Sequence, residues 1–116
     1  MPETNTKELL TRWERQLRKG LLHLLVLAVL DKGESYGYKL IASLSKQLGA
    51  EMAEGTIYPL LSRLQTEKLI SAHWQIMESG PARKYYQITD SGRGLLAAMQ
   101  AHWSYVNTGI ERMQRP

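Results

Sequence analysis

The chain has no cysteine, which excludes disulfides, thiolate metal sites and thiol redox chemistry. Its three histidines, His23, His73 and His102, stand far apart without an H-x-x-x-H or similar ligand spacing, so no metal site is expected. Nucleophile–base pairings, metal clusters and glycine-rich phosphate loops are missing, so neither an enzyme nor a cofactor is expected. Long hydrophobic runs are missing too. The longest, Leu21 to Leu30, is interrupted by His23 and falls well short of the roughly 20 residues that a membrane span needs. It lies too deep for a signal peptide, and no small-residue cleavage site follows it. The expectation is a soluble cytoplasmic protein with no membrane partner. Internal repeats and low-complexity segments are also absent.

What is present fits one domain: 116 residues suffice to bury a real core. The net charge of +4 and the pI near 9.5 favour a polyanionic partner without identifying one. The charge is uneven. Residues 1–48 carry eight Lys/Arg against five Asp/Glu, whereas residues 49–89 carry four of each.

Apolar spacing predicts a first helix from about Thr6 to Asp31, with Leu10, Trp13, Leu17, Leu24 and Leu27 on one face. Arg12, Arg15, Arg18 and Lys19 decorate the other. Gly33 is placed to cap its end. Ser35 is placed to cap a second helix over about 36–48, with Leu40, Ile41, Leu44 and Leu48 inward. A third helix follows from about Glu54 to Glu67, with Pro59 within its first two turns. The short link between the second and third helices makes a helix-turn-helix.

Alternation over Ile70–Ile76 predicts a strand with one buried face, and Arg83–Thr89 returns with Tyr86 and Ile88 inward. The turn cluster Glu78–Ala82 joins them into a wing, with Arg83 and Lys84 at its lip. Thr89 then caps a last helix, with Asp90 in its positive first turn. Along it Leu96, Met99, Trp103, Val106, Ile110 and Met113 step by three and four, the narrow seam of a helix that seeks another helix. The natural partner is a second copy of the chain. The expected fold class is therefore mainly α with a small β-hairpin: a winged helix-turn-helix over residues 6–89, then a dimerisation helix over 90–114. The first helix shares the dimer interface through Leu10, Trp13 and Leu17.

The third helix is the candidate reader. Ile57, Leu60, Leu61 and Leu64 form its docking stripe, leaving Thr56, Tyr58, Pro59, Ser62, Arg63 and Thr66 on the flanks and opposite side. These are residues able to lie against phosphates and base edges, and Arg63 alone among them can make a bidentate contact to guanine.

Four blocks in order resemble the PadR family of bacterial transcriptional regulators: Leu17-Arg18-Lys19-Gly20-Leu21-Leu22, Tyr36-Gly37-Tyr38, Gly55-Thr56-Ile57-Tyr58-Pro59-Leu60-Leu61 and Arg83-Lys84-Tyr85-Tyr86-Gln87-Ile88-Thr89. The likeness runs from about residue 17 to the end. It implies a homodimeric repressor that binds double-stranded DNA at an inverted repeat, often of the ATGT…ACAT type, and is released by a small molecule or otherwise inactivated. The single last helix is similar to the short subgroup that includes regulators of multidrug transporters. In some short members a tryptophan of that helix faces its dimer mate and sandwiches flat aromatic drugs, and Trp103 matches that place.

On this reading Tyr36, Thr56, Tyr58, Pro59, Ser62, Arg63, Arg83 and Lys84 contact DNA. Trp103, Met99, Val106, Trp13 and His102 line a slot for an aromatic ligand. Each assignment has a plainer rival: a solvated helix face, solubilising wing charges, or dimer packing at Trp103. His23 reads as a packed core residue rather than a pH sensor. The alternative function is a winged-helix module that docks protein and no DNA, favoured by the even charge balance of residues 49–89.

Overall fold

The computed structural model describes residues 5–116. Helix α1 spans Thr6–Asp31, and its start is fixed by Asn5, whose Oδ1 accepts from the Glu8 amide at 3.1 Å. A two-residue strand β1 (Ser35–Tyr36) leads into α2 (Gly37–Leu48), and α3 covers Glu54–Thr66. Strands β2 (Ile70–Gln75) and β3 (Arg83–Ile88) form the hairpin, and α4 runs over Asp90–Gln114. The layout is a winged helix-turn-helix followed by one long helix. None of the helices is long and apolar enough to cross a membrane among the described residues.

Two expectations need correction here. Ser35 does not cap the second helix: its hydroxyl donates to the Tyr36 carbonyl at 3.3 Å, and Tyr36 occupies the cap position without a side-chain bond. Ser35 and Tyr36 instead pair with Tyr86 and Tyr85, so the wing has three antiparallel strands in the order β1-β3-β2. Gly33 likewise does not cap the first helix: Lys32 is the cap residue after Asp31, and Gly33 follows it at φ 154°.

The core lies where α1, α2, α3 and the base of the sheet meet. Val26, Leu27 and Leu30 of α1, Leu40 and Leu44 of α2, Ile57, Leu61 and Leu64 of α3, and Ile70 of β2 are almost completely buried. Each such side chain is worth about 1.5–3 kcal/mol of apolar burial. The docking stripe of α3 is thus in place, Leu60 included. The link that sets its angle is anchored by the Met52 amide, which donates to Ser45 Oγ at 3.1 Å.

The hairpin is locked to the last helix at Thr89. Its Oγ1 accepts from the Gly92 amide at 3.1 Å, as a helix cap does, and donates to the Lys68 carbonyl at 2.7 Å. Gly92 lies against the Leu69 carbonyl, closely enough that a Cβ there would collide with it. The start of α4 is thereby tied to the strand entry of the wing.

Burial along β2 departs from strict alternation. Ile70 is buried and Ala72 half-buried, but Trp74 and Ile76, on the same predicted face, are exposed. The helical layer covers only the base of the hairpin, so its outer half stands free. Along α4, Leu96 is buried in the chain's own core, which removes it from any surface offered to a partner. Met99 is partly buried against that core, and from Trp103 onward the seam is exposed.

Candidate nucleic-acid interface

Docking the apolar stripe of α3 inward leaves Thr56, Tyr58, Pro59, Ser62, Arg63 and Thr66 exposed on its outer side. The Thr66 hydroxyl donates to the Ser62 carbonyl at 3.0 Å, inside the helix. Arg63 makes no ion pair among the described residues, so its guanidinium is available to an external acceptor.

A cleft runs beside this helix, lined by Tyr36, Gly37, Tyr38, Tyr58, Trp74, Arg83, Lys84 and Tyr86. Its shape follows from the short first strand. Because β1 pairs only with Tyr85 and Tyr86, the β3 edge at Arg83 and Lys84 is left open, and the chain turns away at Gly37 into α2. The Tyr58 ring packs directly on Gly37, with its Cε1 2.6 Å from where a Cβ would stand. Burial, and secondarily the neighbouring Tyr58, push the Tyr86 hydroxyl above the usual tyrosine pKa.

The wing's cations rest on aromatic rings. The Arg83 guanidinium sits 4.4 Å from the Tyr36 ring centroid, and Lys84 Nζ lies 5.6 Å from that of Tyr86. Tyr36 meets Tyr85 edge-on at 5.4 Å, and His73 stacks on the other side of Tyr85 at 5.9 Å with Glu34 3.6 Å from its Nε2. This aromatic row holds Arg83 in a defined place at the lip. Tyr86 is buried, as the strand pattern predicts, and Tyr85 on the opposite face is half-buried.

The structure therefore brings Tyr36, Tyr58, Arg83 and Lys84 together around one cleft, with Pro59, Ser62 and Arg63 on the exposed side of the adjoining helix. Thr56 borders a different groove, towards α1. Sequence reasoning missed Tyr38, Trp74 and His73. Tyr38 and Trp74 are strongly exposed at 71% and 68%, and the signal that could have found Tyr38 is its place in the Tyr36-Gly37-Tyr38 triplet.

The residues assigned to a ligand slot partly converge. An apolar groove between α1 and α4 is lined by Gly20, Leu21, Leu24, Leu95, Ala98, Met99, His102, Trp103 and Val106. Trp13 does not line it. It lies on the outer half of α1, exposed along with Leu9 and Leu10, and Leu17 is half-buried. Ile110 and Met113 at the far end of α4 are exposed as well. His23 is half-buried in the apolar half of α1. Among the described residues no group of three or more His, Asp or Glu side chains is arranged to hold a metal ion.

Comparison with known proteins agrees with this geometry. The family described as the transcriptional regulator PadR-like family matches residues 26–98. A PadR-like transcriptional regulator from Bacillus cereus is 39% identical, with a TM-score of 0.78 over 87% of this chain and 98% of its own. A PadR family regulator from Eggerthella lenta is 32% identical, with a TM-score of 0.81 over 96% of this chain and 93% of its own. Bacillus subtilis PadR, solved in complex with operator DNA, is 30% identical with a TM-score of 0.64; 69% of this chain matches 46% of that longer one. The outward-facing third helix, the wing with cations at its lip and these likenesses together make the chain a member of the PadR-like family of DNA-binding transcriptional regulators, a family of transcription factors rather than enzymes.

Proposed function

We propose that the chain is a ligand-responsive repressor that binds an inverted-repeat operator as a homodimer. The observation that carries this reading is the exposed outer side of α3, with Arg63 making no ion pair among the described residues, set beside the lip that holds Arg83. Thr56, Tyr58, Pro59, Ser62 and Arg63 then face the major groove or its phosphates, and Arg63 reads a guanine. Tyr36 and the wing residues Arg83 and Lys84 engage the adjacent backbone or minor groove. That a solved relative is bound to operator DNA supports DNA as the partner.

The dimer uses the exposed part of the α4 seam, from Met99 through Trp103, Val106, Ile110 and Met113, together with Leu10, Trp13 and Leu17 of α1. That division makes residues 6–89 the DNA-binding domain and 90–114 the dimerisation helix. A two-fold dimer presents two third helices and two wings to a palindrome. The ligand enters at the α1–α4 groove, where Trp103 and its mate flank a planar aromatic molecule, with Met99, Val106 and His102 beside it.

Selection of genomic DNA fragments by the purified protein at physiological salt tests the function. Enrichment of one inverted repeat is the expected result. Failure to retain any duplex, with the protein folded and dimeric, contradicts it and favours the protein-docking alternative.

A further inference from the structure

The reader segment carries no surplus charge: residues 49–89 hold four cations and four acids. Beyond the wing cations Arg83 and Lys84, further salt-dependent attraction to a phosphate backbone needs another source. The surplus sits on the outer half of α1. Between Lys7 and Lys19 there are five cations, Lys7, Arg12, Arg15, Arg18 and Lys19, against two acids, Glu8 and Glu14, a surplus of three in a chain whose whole net charge is +4.

Their placement is specific. Arg12, Arg15 and Lys19 step by three and four along α1 and continue into Leu22, which is buried, so this stripe faces the same side as the core contact. Arg12, Arg15, Arg18 and Lys19 border a groove whose other wall is the link before α3 and Thr56 in its first turn. Among the described residues none of these four side chains makes an ion pair, and Glu51 is the one acid lining the groove. Four cations standing beside the positive end of α3 repel one another, and Glu51 in the groove with Glu54 in the first turn of α3 offsets only part of that charge. A polyanion laid along the groove offsets the rest.

We infer that the basic stripe of α1 is a second DNA-docking surface, contacting phosphates on the side of α3 away from the wing. The inference rests on the DNA-binding reading and deepens it. Arg63 and its neighbours on α3 read sequence, while Arg12, Arg15 and Lys19 supply sequence-independent affinity. The occupant is duplex DNA: Thr56 of α3 already borders the groove, and four cations against one acid line it.

The test measures the salt dependence of binding for the full chain, on a selected fragment and on a random duplex. It compares wild type with the triple variant Arg12→Gln, Arg15→Gln, Lys19→Gln, all at exposed positions where glutamine keeps helix propensity. The logarithmic salt slope should become shallower by about 0.9 for each phosphate contact removed. Affinity for both duplexes should fall by the same factor, roughly tenfold or more at low salt. A companion variant, Arg12→Lys, Arg15→Lys, Lys19→Arg, keeps the charge and should keep the slope. If wild type binds and the triple variant retains its slope, the inference is overturned and the DNA reading stands. Equal loss in the charge-preserving variant also overturns it, because the residues then act by packing. Absence of binding by wild type to any duplex overturns the DNA reading and the inference with it.

Discussion

The Tyr58 ring lies against Gly37, with its Cε1 and Cζ 2.6 and 2.8 Å from where a side chain on residue 37 would begin. Tyr58 sits on α3 and Gly37 opens α2, so this contact sets the spacing between the reader and the start of its supporting helix. A methyl at residue 37 cannot share that space, and the ring, as the far end of a rotatable side chain, must swing away.

Gly37→Ala is therefore expected to separate stability from binding. Alanine is favoured over glycine in a helix by up to about 1 kcal/mol, which offsets the lost ring contact. Thermal unfolding should stay within a few degrees of wild type, and operator affinity should fall at least tenfold as Tyr58 leaves the cleft. Unchanged affinity in a protein of unchanged stability would show that the position of Tyr58 does not matter for DNA.

Gly92→Ala should behave in the opposite way. The new methyl meets the Leu69 backbone carbonyl and the Ile88 side chain, and a backbone in a strand entry cannot rotate aside. Overpacking of this kind typically costs about 1–3 kcal/mol. A fall in melting temperature of roughly 8 °C corresponds to about 2 kcal/mol in a domain of this size. A calorimetric scan indistinguishable from wild type would mean that the Thr89–Gly92 junction is looser than described.

Tyr86 gives a pH signature. Its folded pKa is raised above the usual tyrosine value of 10.0 by burial first and by Tyr58 second. The unfolded chain therefore releases this proton at a lower pH than the folded one, and stability declines as pH rises above about 10. Below that range the group is neutral in both states and contributes no slope. Denaturant unfolding at stepped alkaline pH should show a shallower decline for Tyr86→Phe than for wild type. Parallel curves would refute the shift.

Much of the fold is legible in the chain because long apolar spacings report helices directly. The bounds of α1, the start and docking stripe of α3, and the Thr89 cap of α4 all follow from local pattern. What local pattern cannot carry is pairing at a distance. Strand β1 is two residues long, too short for any periodicity, and exists only because Tyr85 and Tyr86 lie opposite it. Alternation likewise assigned Trp74 to the correct face of β2 but could not reveal that the cover stops at Ala72. The site divides similarly. The outer residues of α3 and the wing cations are readable, whereas the Gly37–Tyr58 contact and the groove joining α1 to Thr56 need the tertiary structure.

Trp103 offers an optical readout of the proposed ligand groove between α1 and α4. It is 44% exposed beside Met99 and Val106. With Trp13→Phe and Trp74→Phe removing the other two indoles, a planar aromatic cation should quench the remaining fluorescence in a saturable way, and Trp103→Ala should abolish tight binding. Flat titrations across such compounds would exclude this ligand class from the groove.

The most direct test of the central claim compares Arg63→Ala with the double variant Arg83→Ala, Lys84→Ala on the selected inverted repeat, on single-position variants of it and on random duplex. Arg63→Ala should relax discrimination at one position of each half-site, by about 1–3 kcal/mol per site, and leave random binding nearly intact. The wing variant should weaken every duplex alike and flatten the salt slope. Equal effects of both variants on the selected repeat and on random DNA would contradict the assignment of reading to α3 and of grip to the wing.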